Sequence, residues 1–85
     1  MDEYEIARRA SDLPQKFADR IPRETLEIIG LMDDGGEYGE LTAELVASLA
    51  AHKTPVTTDE RDELRVLLEA LGMPTEPIGR LNVQG

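Results

Sequence analysis

The chain has 85 residues and a mass of 9.4 kDa, with 18 Asp plus Glu against 9 Lys plus Arg, one His and a formal charge of −9. That length holds one small domain with a single modest core and little material to enclose an active-site cavity. With no Cys, no Trp and only three aromatic residues, disulfide scaffolds, thiolate metal sites and base-stacking nucleic-acid platforms are excluded, and neither a basic leader nor a run of about 20 apolar residues points to a membrane, so a cytoplasmic protein is expected.

The first element is an apolar stripe at helical spacing, Ile6, Ala10, Leu13, Phe17 and Ile21, with Arg8, Arg9, Asp12, Lys16, Asp19 and Arg20 on the other face. Pro14 falls inside it, which allows either two short helices or one kinked helix. The stripe keeps its phase across the proline and favours the kinked helix. Pro22 suits the first turn of a second helix, with Glu24 in its positive N-terminal turn. Leu26, Ile29 and Met32 form its inner line, with Ile28 beside them, and Asp33-Asp34-Gly35-Gly36 ends it.

A third helix is predicted from Glu37 to about Ala51, with Tyr38, Leu41, Leu45 and Leu49 on one face and Ala43, Ala47, Ala50 and Ala51 permitting close approach. Pro55 makes 53–57 a loop. Thr57 and Glu60 then have the spacing of a capping box, and Leu64, Leu67, Leu68 and Leu71 form the buried face of a fourth helix that stops at Gly72. Beyond Pro74 a helix cannot continue directly, so 75–85 is predicted as an extended tail whose Ile78, Leu81 and Val83 can fold back on the bundle. Loops of about 2–7 residues make neighbours of consecutive helices. The expectation is an all-α protein: a small antiparallel bundle of about four helices over 1–74, followed by the tail.

The charges are segregated. Residues 1–23 hold five acids against five bases and residues 53–85 six against four, whereas 24–52 hold seven acids (Glu24, Glu27, Asp33, Asp34, Glu37, Glu40, Glu44) and no Lys or Arg. Glu37, Glu40 and Glu44 are spaced by three and four, which sets like charges side by side on a helix at a cost of a few tenths of a kcal/mol per pair. Such a face is read either as a solvated surface or as one that attracts a basic partner. Tyr38 is read either as a seal on the junction between the second and third helices or as an interface anchor at the rim of that patch.

Signals for chemistry are weak. Asp33, Gly35, Glu37 and Glu44 fall at positions of a calcium-binding loop, but Tyr38 stands where glycine is required and 37–44 reads as helix. His52 has the place of a positive group at a helix C-terminus, and a catalytic role would need partners that Ser48 and Thr54 do not supply in any recognisable motif. No phosphate-binding glycine pattern follows a strand. The chain is expected to be no enzyme and to use no cofactor or metal.

Taken together, Arg20-Ile21-Pro22-Arg23-Glu24, an apolar helix, Asp34-Gly35-Gly36-Glu37-Tyr38-Gly39, a leucine-spaced helix, Pro55-Val56-Thr57 and a last helix ending Leu71-Gly72-Met73-Pro74 resemble the MafI family of small bacterial immunity proteins over about residues 15–74. The family continues from Gly-Glu more directly into an Ala-Leu helix start, where this chain has Glu40, and the tail has no counterpart. The resemblance implies an antidote that binds its cognate toxin domain and blocks it. Toxin domains of the nuclease type tend to be basic, so Asp33, Asp34, Glu37, Glu40 and Glu44 are the expected electrostatic contacts and Tyr38 the packed anchor, with no contact to nucleic acid or membrane. The alternative is an adaptor or regulatory module that docks on its partner through the apolar tail.

Overall fold

In the computed structural model, which describes residues 1–85, helical segments make up 72% of the chain and only two two-residue strands interrupt them, so the protein is an all-α bundle of four helices. These are α1 (Glu3–Lys16), α2 (Arg23–Asp34), α3 (Tyr38–Ala51) and α4 (Thr58–Ala70). α1 is one uninterrupted helix with Pro14 inside its last turn, and Asp2 caps it by accepting the Glu5 N–H at 2.8 Å. The predicted stripe faces the core: Ala10, Leu13 and Phe17 are buried, and Ile6 and Ile21 pack at its edges. A 3₁₀ turn, Ala18–Arg20, leads to Pro22, which precedes α2 as its extended N-cap instead of lying in its first turn.

α2, α3 and α4 end in the same way. The N–H of Glu37 reaches back to the Met32 carbonyl at 2.8 Å, that of Thr54 to Leu49 at 3.0 Å and that of Met73 to Leu68 at 2.8 Å. The residue before each donor takes a positive φ: Gly36 at 70°, Lys53 at 51° and Gly72 at 71°. This bond pattern satisfies carbonyls that the helix leaves unpaired, and it requires a left-handed residue, which glycine supplies without a steric penalty. Lys53 adopts it with a side chain attached.

α3 is the central element. It buries Leu41, Thr42, Leu45, Val46, Ser48 and Leu49, and α1, α2, α4 and the C-terminal segment pack on it. Of its predicted small positions, Ala43 and Ala50 pack against the core, while Ala47 and Ala51 face solvent. The Thr42 hydroxyl donates to the Tyr38 carbonyl at 2.9 Å, and no buried side-chain polar atom is left without a partner. The chain can start α3 close to the end of α4 because Gly39 has no Cβ, which would stand 3.0 Å from the Met73 sulfur. Ser48 meets Thr25 across the pair (Oγ to Oγ1, 3.5 Å), and a three-residue turn joins the opposite ends, so α2 and α3 form an antiparallel hairpin. α4 runs antiparallel to α1, with Lys16 beside Glu63 at one end and Ile6 and Ala7 beside Ala70 and Leu71 at the other.

The segment after Pro74 folds back on the bundle through Ile78, Leu81 and Val83, as expected, but its local structure differs from the expectation. It is not an extended tail: Glu76–Arg80 form a 3₁₀ helix, Ile78 and Leu81 are buried, and Asn82–Val83 pair as a parallel strand (β2) with Pro55–Val56 (β1). Pro77 sits at the start of that 3₁₀ helix, where its missing N–H leaves no bond unmade. The Gln84 N–H donates to the Val56 carbonyl at 2.8 Å, and Asn82 Nδ2 donates to the Lys53 carbonyl at 2.9 Å. Residues 75–85 thus share one core with residues 1–74, because two large apolar side chains in a chain of this size are best hidden against the bundle already present.

Candidate functional site

Pairing of charge divides the molecule. The ion pairs are Arg9–Glu5, Lys16–Glu63, Arg20–Glu60, Arg61–Asp62, Arg65–Asp62 and Arg80–Glu76. Every acid in them belongs to α1, α4 or the C-terminal 3₁₀ helix. None of the seven acids between Glu24 and Glu44 has a cationic partner, and the carboxylates that accept hydrogen bonds within the chain are Asp2, Glu60, Asp62, Glu63 and Glu76 together with the ion-paired Glu5. Residues 24–52 therefore carry seven negative charges with no paired base, and the α2–α3 hairpin, with Arg23 at its start, has a net charge of −6.

The expected site residues occupy three places on that hairpin. Asp33 and Asp34 close α2, and Glu37 is the N-cap of α3 without a side-chain capping bond. Because Glu37 lies outside the helix, only Glu40 and Glu44 stand on a shared ridge, with Glu40 exposed and Glu44 half-buried one turn before Ser48, the residue that meets Thr25 of α2. Tyr38 stands apart from them. Two residues along an α-helix turn the side chain by about 200°, so Tyr38 and Glu40 point to nearly opposite sides of α3. The half-buried Tyr38 ring packs against the core and borders two open surface depressions, one with Tyr4, Ala7, Arg8, Ser11 and Asp12 and the other with Ile6, Ala7, Ala70 and Leu71. Its position seals the end of the bundle where α1, α3 and α4 meet.

Two features lie outside what the spacing of residues revealed. In α2, Ile28 is 44% exposed and Leu31 71% exposed. Leu31 falls out of phase with the inner line of Leu26, Ile29 and Met32, and that phase difference is the signal that separates it from the core. The second feature is the Arg20–Glu60 pair, made by residues 40 positions apart. Arg20 grips the carboxylate with both terminal nitrogens, at 2.8 and 2.6 Å, lies 4.5 Å from the centre of the Phe17 ring and reaches the Pro55 carbonyl. Glu60 also accepts the Thr57 N–H, completing the predicted capping box with Thr57. The bonds from Arg20, ahead of that from Thr57, pull the Glu60 carboxyl down to about 2 against the opposing effect of burial. This hub pins the start of α4 to the 3₁₀ turn that follows α1.

His52 lies at the C-terminus of α3 with Nδ1 2.9 Å from the Ser48 carbonyl, a bond in which the ring nitrogen donates. The arrangement satisfies a terminal carbonyl and places the imidazole at the negative end of the helix. No helix is long and apolar enough to cross a membrane. No family model, no curated protein and no solved structure matches the chain.

Proposed function

We propose that this protein acts by binding, without chemistry of its own, as an antidote that holds a basic toxin domain against the acidic α2–α3 hairpin. The observation that carries the reading is the segregation of pairing: six of the nine bases are paired, every one with an acid outside residues 24–44, while the seven carboxylates between Glu24 and Glu44 have no paired base. Self-repulsion of this kind works against folding, and a matching positive surface relieves it on binding while raising the rate of encounter. The resemblance to immunity proteins supports the same reading, and a nuclease-type toxin, positive where it holds phosphates, is the fitting partner. In this proposal Asp33, Asp34, Glu37, Glu40 and Glu44 supply the field and Tyr38 fixes the turn that presents them.

The tail-docking adaptor is less well supported, since Ile78 and Leu81 are already engaged in the protein's own core. The test is recovery of the tagged chain from its native cell, with the adjacent reading frame co-expressed, at low and at raised salt. A basic protein in stoichiometric amount, released as salt rises and lost from a Glu37→Lys/Glu40→Lys variant that keeps its helical spectrum, is the expected outcome. A neutral or acidic partner held equally at both salts would contradict it.

A further inference from the structure

The outward face of α2 is a ridge. Glu24, Glu27, Ile28, Leu31 and Asp34 recur at helical spacing, and all five are exposed. Leu31 lies at its centre, with Glu27 and Ile28 one turn before it and Asp34 and Gly35 one turn after. Single exposed leucines are ordinary on protein surfaces, and leucine is a good helix former. What sets this one apart is the combination: two large aliphatic side chains on one unpartnered helix face, on a hairpin whose acids have no counter-charge. The contact of Thr25 with Ser48 fixes the register of the antiparallel hairpin and sets Ile28 at the level of Glu44, so the ridge is continuous with the acidic flank of α3.

We infer that this ridge is a docking surface for a cationic, amphipathic helix of a protein partner, with Leu31 and Ile28 as its apolar anchors and the acids of α2 and α3 around them. The inference rests on the acidic-surface reading above and adds to it the apolar centre and the shape of the partner element. Charge decides the occupant. A second copy of this chain would set seven unpaired carboxylates against another seven, and an anionic membrane or a nucleic acid would be repelled likewise, whereas lysines and arginines flanking a row of aliphatic side chains match both parts of the face. A straight stripe running from Glu24 to Asp34, about 15 Å long, is the form of ridge that another helix packs along.

The probe is a synthetic peptide of roughly 18 residues, leucines on one helical face and lysines elsewhere, compared with an oligolysine of equal charge. Binding to the full chain is followed by calorimetry at low and raised salt, and self-association by sedimentation. The expected result is that the amphipathic peptide binds at least about tenfold more tightly than oligolysine, and that Ile28→Ala/Leu31→Ala and Leu31→Gln each remove about tenfold or more of that affinity. Both changes lie on an exposed helix face, and an unchanged helical spectrum and melting curve show that the fold survives. Equal binding of the two peptides, or undiminished binding by both variants, overturns the anchor inference and leaves the acidic surface standing. Binding of neither peptide overturns both. A wild-type dimer that Leu31→Gln dissociates overturns the inference in favour of a second copy.

Discussion

At the scale of single residues, helix termination is the most exposed point of the design. Three helices end through a left-handed residue, and only α3 uses a side-chain-bearing one, Lys53 at φ 51°. Lys53→Gly is expected to raise stability by about 0.5–1 kcal/mol by removing the penalty of that backbone conformation, and Gly36→Ala, at φ 70°, to lower it by about 1 kcal/mol or more. Urea denaturation of the two variants checks both signs. The glycine stops at Gly36 and Gly72 and the Thr57 capping box were legible in the sequence because each is a local device with its own residue signature. The left-handed Lys53 was not, since lysine carries no such signal and the bond that calls for it, from Thr54 to Leu49, is set by where α3 stops.

Among elements, the Arg20–Glu60 hub shows what sequence spacing hides. Each residue alone reads as an ordinary surface charge, and only the antiparallel packing of α1 and α4 brings them together with bidentate geometry over Phe17. Because Glu60 is held near 2 in the folded protein and returns to an ordinary carboxylate value on unfolding, its contribution is fully present above about pH 4.5 and is lost as pH falls toward 2. Glu60→Gln should therefore cost about 1–3 kcal/mol at pH 7 and flatten the acid dependence of stability, measured by denaturation at pH 7 and pH 3. The C-terminal segment carries a comparable lesson. Its apolar residues were visible, but the 3₁₀ turn and the pairing of β2 with β1 depend on a neighbour more than 25 residues away in the chain. Ile78→Ala is expected to lower stability by about 2–4 kcal/mol, and deletion of 75–85 to cost at least as much, visible as a lowered melting temperature.

For the whole molecule, helix count, core stripes and the charge imbalance followed from periodicity and composition, because burial of an apolar face dictates both the spacing and the packing of each helix. The geometry of the candidate surface did not follow so directly. Tyr38, adjacent in sequence to Glu37, is turned to the far side of α3, while Ile28 and Leu31, read as inner or passed over, stand in solvent on the acidic hairpin. The bundle pairs six of its bases with acids of α1, α4 and the C-terminal 3₁₀ helix, and leaves the acids of the α2–α3 hairpin unpaired, which is the charge proposed to meet a partner. The direct test is the affinity of the purified chain for its co-purified partner as a function of salt, with wild type set beside a Glu40→Lys/Glu44→Lys variant. Wild-type affinity is expected to fall steeply as salt rises, and the variant to bind at least about tenfold more weakly, with a shallower slope. Affinity that is indifferent to salt and unchanged in the variant would rule out a binding role for that charge.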